Sequence, residues 1–89
     1  SNPPKIITAV APIYPKIAVM TGIEGLVVIE FIIDENGLPT RLTVIKGHPM
    51  LNQAALDAAN QYRFLPAVQN DKKVKVRWNI PFKFLSQMY

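Results

Sequence analysis

Six carboxylates, Glu24, Glu30, Asp34, Glu35, Asp57 and Asp71, and one histidine, His48, are all that the chain offers for acid–base chemistry. Hydrolysis by paired carboxylates needs two of them aimed into one cleft. Asp34 and Glu35 instead adjoin a turn, where acidic residues are commonplace. His48 stands between Gly47 and Pro49 with no Ser or Asp at a spacing that completes a nucleophilic triad, and reads as a turn residue. The chain has no cysteine, so disulfides, thiolate nucleophiles and thiolate metal ligands are all excluded, and one histidine cannot build a metal site alone. Gly22, Gly25, Gly37 and Gly47 fall at element ends and form no phosphate-cradling loop. The chain therefore reads as a non-enzyme with no catalytic, cofactor or metal site, and its function has to reside in a surface.

The strongest surface signal is cationic. Ten Lys and Arg against six Asp and Glu give a net charge of +4, and Lys72, Lys73, Lys75, Arg77 and Lys83 form a basic stripe near the C-terminus. A small sheet carrying such a stripe is a nucleic-acid-binding pattern when exposed aromatics accompany it. Here Trp78, Phe82 and Phe84 share parity with Val74 and Val76, so they are expected in the core, and no stacking platform remains. Nucleic acid is not the expected partner. Lysines on an edge strand also guard against aggregation, and a pairing of Glu30 with Lys75 or Arg77 across the outer face would add only about 0–1 kcal/mol.

The stripe lies on the segment with the clearest secondary-structure signal. Val74, Val76, Trp78, Ile80, Phe82 and Phe84 alternate with Lys75, Arg77, Asn79, Pro81 and Lys83, as in a strand with one core face and one wet face. Pro81 cannot donate to a ladder, so it is tolerated mainly in an edge strand or at a bulge, and this strand is expected at the edge of the sheet. Leu26 to Ile33 is apolar at both parities except Glu30, as suits the centre of a sheet. Asn36-Gly37 predicts a type I′ hairpin turn, with both central residues at positive φ, returning into a strand over 40–46. Pro15 opens a short helix over 15–21, with Ile17, Ala18 and Met20 packing and Gly22 stopping it. Leu51, Ala55, Ala58 and Tyr62 recur at helical spacing over 51–63, with Asn52 as the cap and Pro66 preventing continuation. Residues 1–13, with Pro3, Pro4 and Pro12, read as an extended lead-in: residues 1–11 as a Ser1-Asn2 cleavage scar and the end of a proline-rich linker, and 12–89 as the domain.

The element order αββαβ then fixes the topology as an α+β fold. If the first strand runs up and its hairpin partner down, the second helix returns the chain and the last strand runs down beside the first. The sheet is three-stranded and antiparallel with order 2-1-3, and both helices lie on the face lined by Val27, Ile29, Phe31, Ile33, Leu42, Val44, Val76, Trp78 and Ile80. At 89 residues and 49% hydrophobic composition the chain supports one core and excludes wholesale disorder. No run approaches the roughly 18 apolar residues of a membrane span.

In order along the chain, Pro12-x-Tyr14-Pro15, Ala18, Gly22, Gly25, Val27-x-x-x-Phe31-x-x-Asp34-x-x-Gly37, Leu51, Ala55-Leu56 and Arg63-Phe64-x-Pro66-Ala67 resemble the TonB C-terminal domain family. The resemblance covers nearly all of residues 12–84, with Tyr62 where the family often has Trp. It implies the periplasmic end of an inner-membrane-anchored energy transducer in a Gram-negative bacterium. Such a protein draws on proton-motive force through ExbB and ExbD, contacted by an N-terminal region outside this sequence. It drives outer-membrane receptors that import iron chelates, haem or vitamin B12. The receptor's TonB box would add as a strand to the last strand of the domain, here Lys73, Val74, Lys75, Val76, Arg77, Trp78, Asn79, Ile80, Pro81 and Phe82. Tyr14, Pro15, Gly25, Gly37, Arg63, Phe64 and Pro66 would serve the fold. Short fragments of the family can form intertwined homodimers, and Val28, Ile32 and Ile45 on the outer sheet face would give a partner something apolar to cover. The rival readings are a TonB-like docking or sensory tail of another inner-membrane protein, and a TolA-like envelope domain.

Overall fold

A computed structural model describes residues 1–86. Its frame is the antiparallel sheet of β2 (Gly25–Ile33), β3 (Pro39–Lys46) and β7 (Val76–Phe84) in the order β3-β2-β7, the 2-1-3 arrangement expected from the sequence. β2 is central because it is apolar on both faces: Val27, Ile29, Phe31 and Ile33 are fully buried, and the alternate residues are half-buried. The helices α1 (Lys16–Met20) and α2 (Asn52–Asn60) cover one face, with Ala18, Leu51, Ala55, Ala58 and Ala59 in the same core cluster as those four β2 residues.

The hairpin between β2 and β3 turns differently from expectation. Gly37 is left-handed at φ +79°, but Asn36 is not, so the turn is not type I′. The Asp34 carboxylate accepts the N–H groups of Asn36 and Leu38, and the Asp34 carbonyl accepts that of Gly37, which leaves a single residue requiring positive φ. β3 carries two register shifts against β2, and Arg41 at φ +54° lies beside one of them.

Helix α1 is one turn long. Pro15 stands at its N-cap in an extended conformation, and Ala18 is its only buried residue. Ile17 and Met20, expected to pack, are exposed by 57% and 73%. So short a helix can turn only one position onto a sheet. Helix α2 ends at Asn60 instead of continuing to 63, and its cap is not Asn52. The Asn52 side chain accepts the His48 N–H, while the His48 ring accepts that of Met50, so the histidine is the turn residue it was read to be.

Three further pairings use strands too short for alternation to mark. β1 (Lys5–Thr8) pairs with β4 (Arg63–Leu65), and β5 (Ala67–Gln69) with β6 (Lys72–Val74) through a turn in which Asn70 and Asp71 both have positive φ. Asn2 and Val68 exchange backbone hydrogen bonds beside that hairpin. The lead-in is thus extended as expected, and it is also paired with the body of the fold. The Phe64 N–H donates to the Gly37 carbonyl, joining β4 to the hairpin tip, and Phe31, Phe64, Tyr62 and Phe82 form a run of ring contacts through the core. Among the described residues no helix is long and apolar enough to cross a membrane.

Candidate partner-binding edge

Among the described residues, β7 has a neighbour on one side only. Nine consecutive residue pairs, from Gly25 opposite Phe84 to Ile33 opposite Val76, join it to β2, and its other side is the edge of the sheet. The phase of the ladder decides which of its backbone groups face that open side. Asp34 gives its N–H to Leu38, and Thr40 donates its hydroxyl to the Ile32 carbonyl, so Ile32 and Asp34 direct their main-chain groups at β3. Alternation along β2 then turns Gly25, Val27, Ile29, Phe31 and Ile33 toward β7, whose inward-bonding residues are their partners Phe84, Phe82, Ile80, Trp78 and Val76. Arg77, Asn79, Pro81 and Lys83 therefore direct their backbone to the open edge. Pro81 fits this assignment, since its missing N–H falls where no internal ladder bond is needed.

Side chains follow the same alternation. Phe82 and Phe84 are buried, Val76 and Ile80 half-buried, and Arg77, Asn79, Pro81 and Lys83 exposed. Trp78 departs from the core reading: it is 37% exposed, although Phe31 opposite it is 1% exposed. Phe31 is covered on both flanks and from above by Phe64, whereas among the described residues no strand lies on the far side of Trp78. An inward position at a sheet edge keeps one side open. The exposed ring and the basic chains of Arg77 and Lys83 lie on opposite faces, so they do not combine into a nucleic-acid stacking platform.

The expected docking stretch is not one continuous strand. Val76 to Phe82 lie on the edge of the main sheet. Lys73 and Val74 belong to β6 and are paired with Val68 and Ala67, and Lys75 is the unpaired joint between β6 and β7. In the β5–β6 hairpin Val68 bonds outward to Asn2, so by alternation Lys73 also directs its backbone away from β5. Lys75 shares a shallow outer-face depression with Ile32, Val76 and Arg77.

The residues read as structural are placed around the far end of this edge and beneath the sheet. The Tyr14 hydroxyl donates to the Ile23 carbonyl, and its ring packs edge-on against Phe84 at 5.4 Å. Partial burial, with Glu24 nearby, pushes its pKa up. A Cβ at Gly25 would meet the Leu51 side chain at ordinary contact distance, while one at Gly37 would overlap the Phe64 carbonyl. Arg63 closes helix α2 by donating to the Asn60 and Tyr62 carbonyls at 3.0 and 2.6 Å, Phe64 is buried, and Pro66 separates β4 from β5. Sequence reading missed Glu24. Its carboxylate accepts the Ser86 N–H just beyond β7, and hydrogen bonds from Ser86 hold its pKa below the ordinary range. Nothing in its local sequence marks a contact to a residue 62 positions away.

Residues 10–85 match the family described as Gram-negative bacterial TonB protein C-terminal. The chain is 37% identical over 84 residues to protein TonB of Vibrio cholerae, covering 91% of this chain and 34% of that protein. It is 33% identical over 85 residues to protein TonB of Xanthomonas campestris, covering 93% and 34%. It is 34% identical over 76 residues to protein tonB2 of Pseudomonas aeruginosa, covering 83% and 28%. It thus spans about a third of the length of these relatives. The solution structure of the Pseudomonas aeruginosa TonB C-terminal domain superposes with a TM-score of 0.77 at 29% identity, covering 94% of this chain and 87% of that one. With a family match across the whole sheet and helix layer and an aligned fold, the chain belongs to the TonB C-terminal domain family.

Proposed function

We propose that this domain is the periplasmic receptor-binding end of an inner-membrane-anchored energy transducer, and that it docks the TonB box of an outer-membrane receptor by strand addition to β7. ExbB and ExbD would act through the part of the protein outside this sequence, drawing on proton-motive force for the import of iron chelates, haem or vitamin B12. The observation that carries the reading is the open edge of β7, with the amides of Arg77, Asn79 and Lys83 directed outward along a strand of nine residues. Main-chain hydrogen bonds supply affinity in this mode, and alternate side-chain contacts supply selection. At ~3.3 Å per residue the edge accommodates an extended segment of roughly eight residues.

Amide hydrogen exchange tests the reading. In the free domain the Arg77, Asn79 and Lys83 amides exchange quickly, whereas those of Trp78, Ile80 and Phe82 are protected by β2. Adding a synthetic TonB-box peptide is expected to slow the first set selectively. Binding that leaves those three amides unprotected would place the peptide elsewhere and refute strand addition at β7.

A further inference from the structure

We propose that the open face of the main sheet docks on an anionic phospholipid surface. This face, turned away from the helices, is built from the outward positions of three strands. Leu26, Val28 and Ile32 run along its centre on β2, with Lys83, Pro81 and Arg77 opposite them on β7. Lys46 stands opposite Val28 on β3, and Arg41, at a register shift of that strand, lines an outer depression with Glu30, Thr43 and Arg77. Lys75, at the joint before β7, borders a second depression with Ile32. Among the described residues the face thus holds five of the ten cations and one of the six carboxylates, a surplus of four. That surplus equals the net charge of the whole chain, so the rest of the surface is neutral in sum. Chain order hides the asymmetry, because Arg41 and Lys46 join the face from β3 while Lys72 and Lys73 belong to β6.

The pattern selects among anionic partners. Cations stand on both flanking strands with apolar side chains between them, and Ile45, the extra residue of the register shift beside Lys46, is 53% exposed. Long basic chains around a low apolar centre suit a plane of headgroups: their charged ends meet phosphates, while their stems and the β2 side chains lie toward the acyl boundary. Nucleic acid finds nothing to stack on, since among the described residues no outward position of these strands is aromatic. Stacking a second copy on this face would bring two like surpluses together. An acidic peptide lying in a groove would need cations gathered along one line, whereas here the two flanks are roughly 10 Å apart, two strand spacings. Glu30 does not cancel the pattern, because Arg41 and Arg77 share its depression. Arg41 holds its place at φ +54°, a conformation that side chains rarely adopt and that recurs at functional positions. Docked by this face, the domain would keep the β7 edge open beside the headgroups.

Co-sedimentation with vesicles tests the inference. The chain is mixed at low ionic strength with vesicles of phosphatidylcholine, or of equal parts phosphatidylcholine and phosphatidylglycerol. Binding is expected to the anionic vesicles alone, fading in high salt. Arg41→Gln/Lys46→Gln, two changes on β3 away from the β7 edge, should weaken it roughly ten- to thirtyfold, as two cations at a membrane surface allow. Lys5→Gln/Lys16→Gln, with the same loss of net charge elsewhere, should weaken it by less than about threefold. Because the chain has no cysteine, an environment-sensitive fluorophore can be attached at one chosen position. On Ile45→Cys its emission should move to the blue when vesicles are added, and on Ile17→Cys, on the helix side, it should not. Equal binding to both kinds of vesicle, an equal loss in the two double variants, or a shift at position 17 in place of 45 overturns the inference. So does a domain that ignores vesicles yet shifts at position 45 with polyglutamate, which would give the face to an acidic protein. None of these readouts involves the β7 amides, so strand addition stands or falls separately.

Discussion

Proline substitution at adjacent positions of β7 separates the two sides of its ladder. Ile80 bonds inward to Ile29, and Asn79 directs its N–H to the open edge. Ile80→Pro deletes a donor to the central strand, leaves a buried carbonyl unpaired at about 1–3 kcal/mol, and loses part of a half-buried side chain, for a total of roughly 3–5 kcal/mol. In a domain of this size that corresponds to a melting temperature lower by roughly 12–40 °C. Asn79→Pro removes no internal bond and should change stability by less than about 1 kcal/mol. It takes one donor from the incoming strand, at about 0.5–1.5 kcal/mol or roughly two- to twelvefold in affinity. Calorimetric melting and peptide titration of the two variants give the comparison. If Asn79→Pro melts as far below the parent as Ile80→Pro, the ladder has the opposite phase. If Asn79→Pro folds and binds like the parent, the peptide does not use this edge.

Tyr14→Phe removes the hydroxyl bond to Ile23 and should lower the melting temperature by a few degrees without altering peptide affinity; unchanged melting with lost binding would make Tyr14 a contact residue. Gly37→Ala forces an alanine into a left-handed conformation and drives its Cβ into the Phe64 carbonyl, so urea denaturation should show a loss of at least about 2 kcal/mol. Glu24 has a folded pKa below its unfolded value, so its contribution is present above the ordinary carboxylate range and is lost as pH falls through the folded value. The difference in melting temperature between the parent and Glu24→Gln should therefore close on acidification, and a constant difference from neutral pH to below pH ~3 would refute the linkage.

The sheet order and helix α2 were legible because each rests on a long periodic signal, namely apolar residues at both parities in β2, strict alternation in β7, and the Leu51, Ala55, Ala58 and Tyr62 spacing around α2, whereas the single turn of α1 was legible only from its Pro15 and Gly22 boundaries. What escaped was set by contacts rather than period. β1 and β4 are short, and their pairing follows from where Phe64 docks on the Gly37 turn. The exposure of Ile17 and Met20 follows from the length of α1, and that of Trp78 from the absence of a neighbouring strand, neither of which parity expresses. The turn at Asp34 used side-chain acceptance in place of a second left-handed residue. The open edge of the sheet was legible through Pro81, but the division at Lys75 was not, because the alternation continues across the joint between β6 and β7.

The uninterrupted pairing of β7 with β2 has a mechanical consequence. A strand added along β7 and pulled lengthwise would load its hydrogen bonds in shear, sharing the tension among them, whereas traction perpendicular to the sheet would peel them one at a time. Beneath it, all of β7 is attached to a strand that is itself flanked on its other side by β3. Tension entering at the edge would pass into the centre of the sheet before reaching any turn. Such an attachment would resist a steady axial tug yet release readily once the direction of pull swung away from the strand axis.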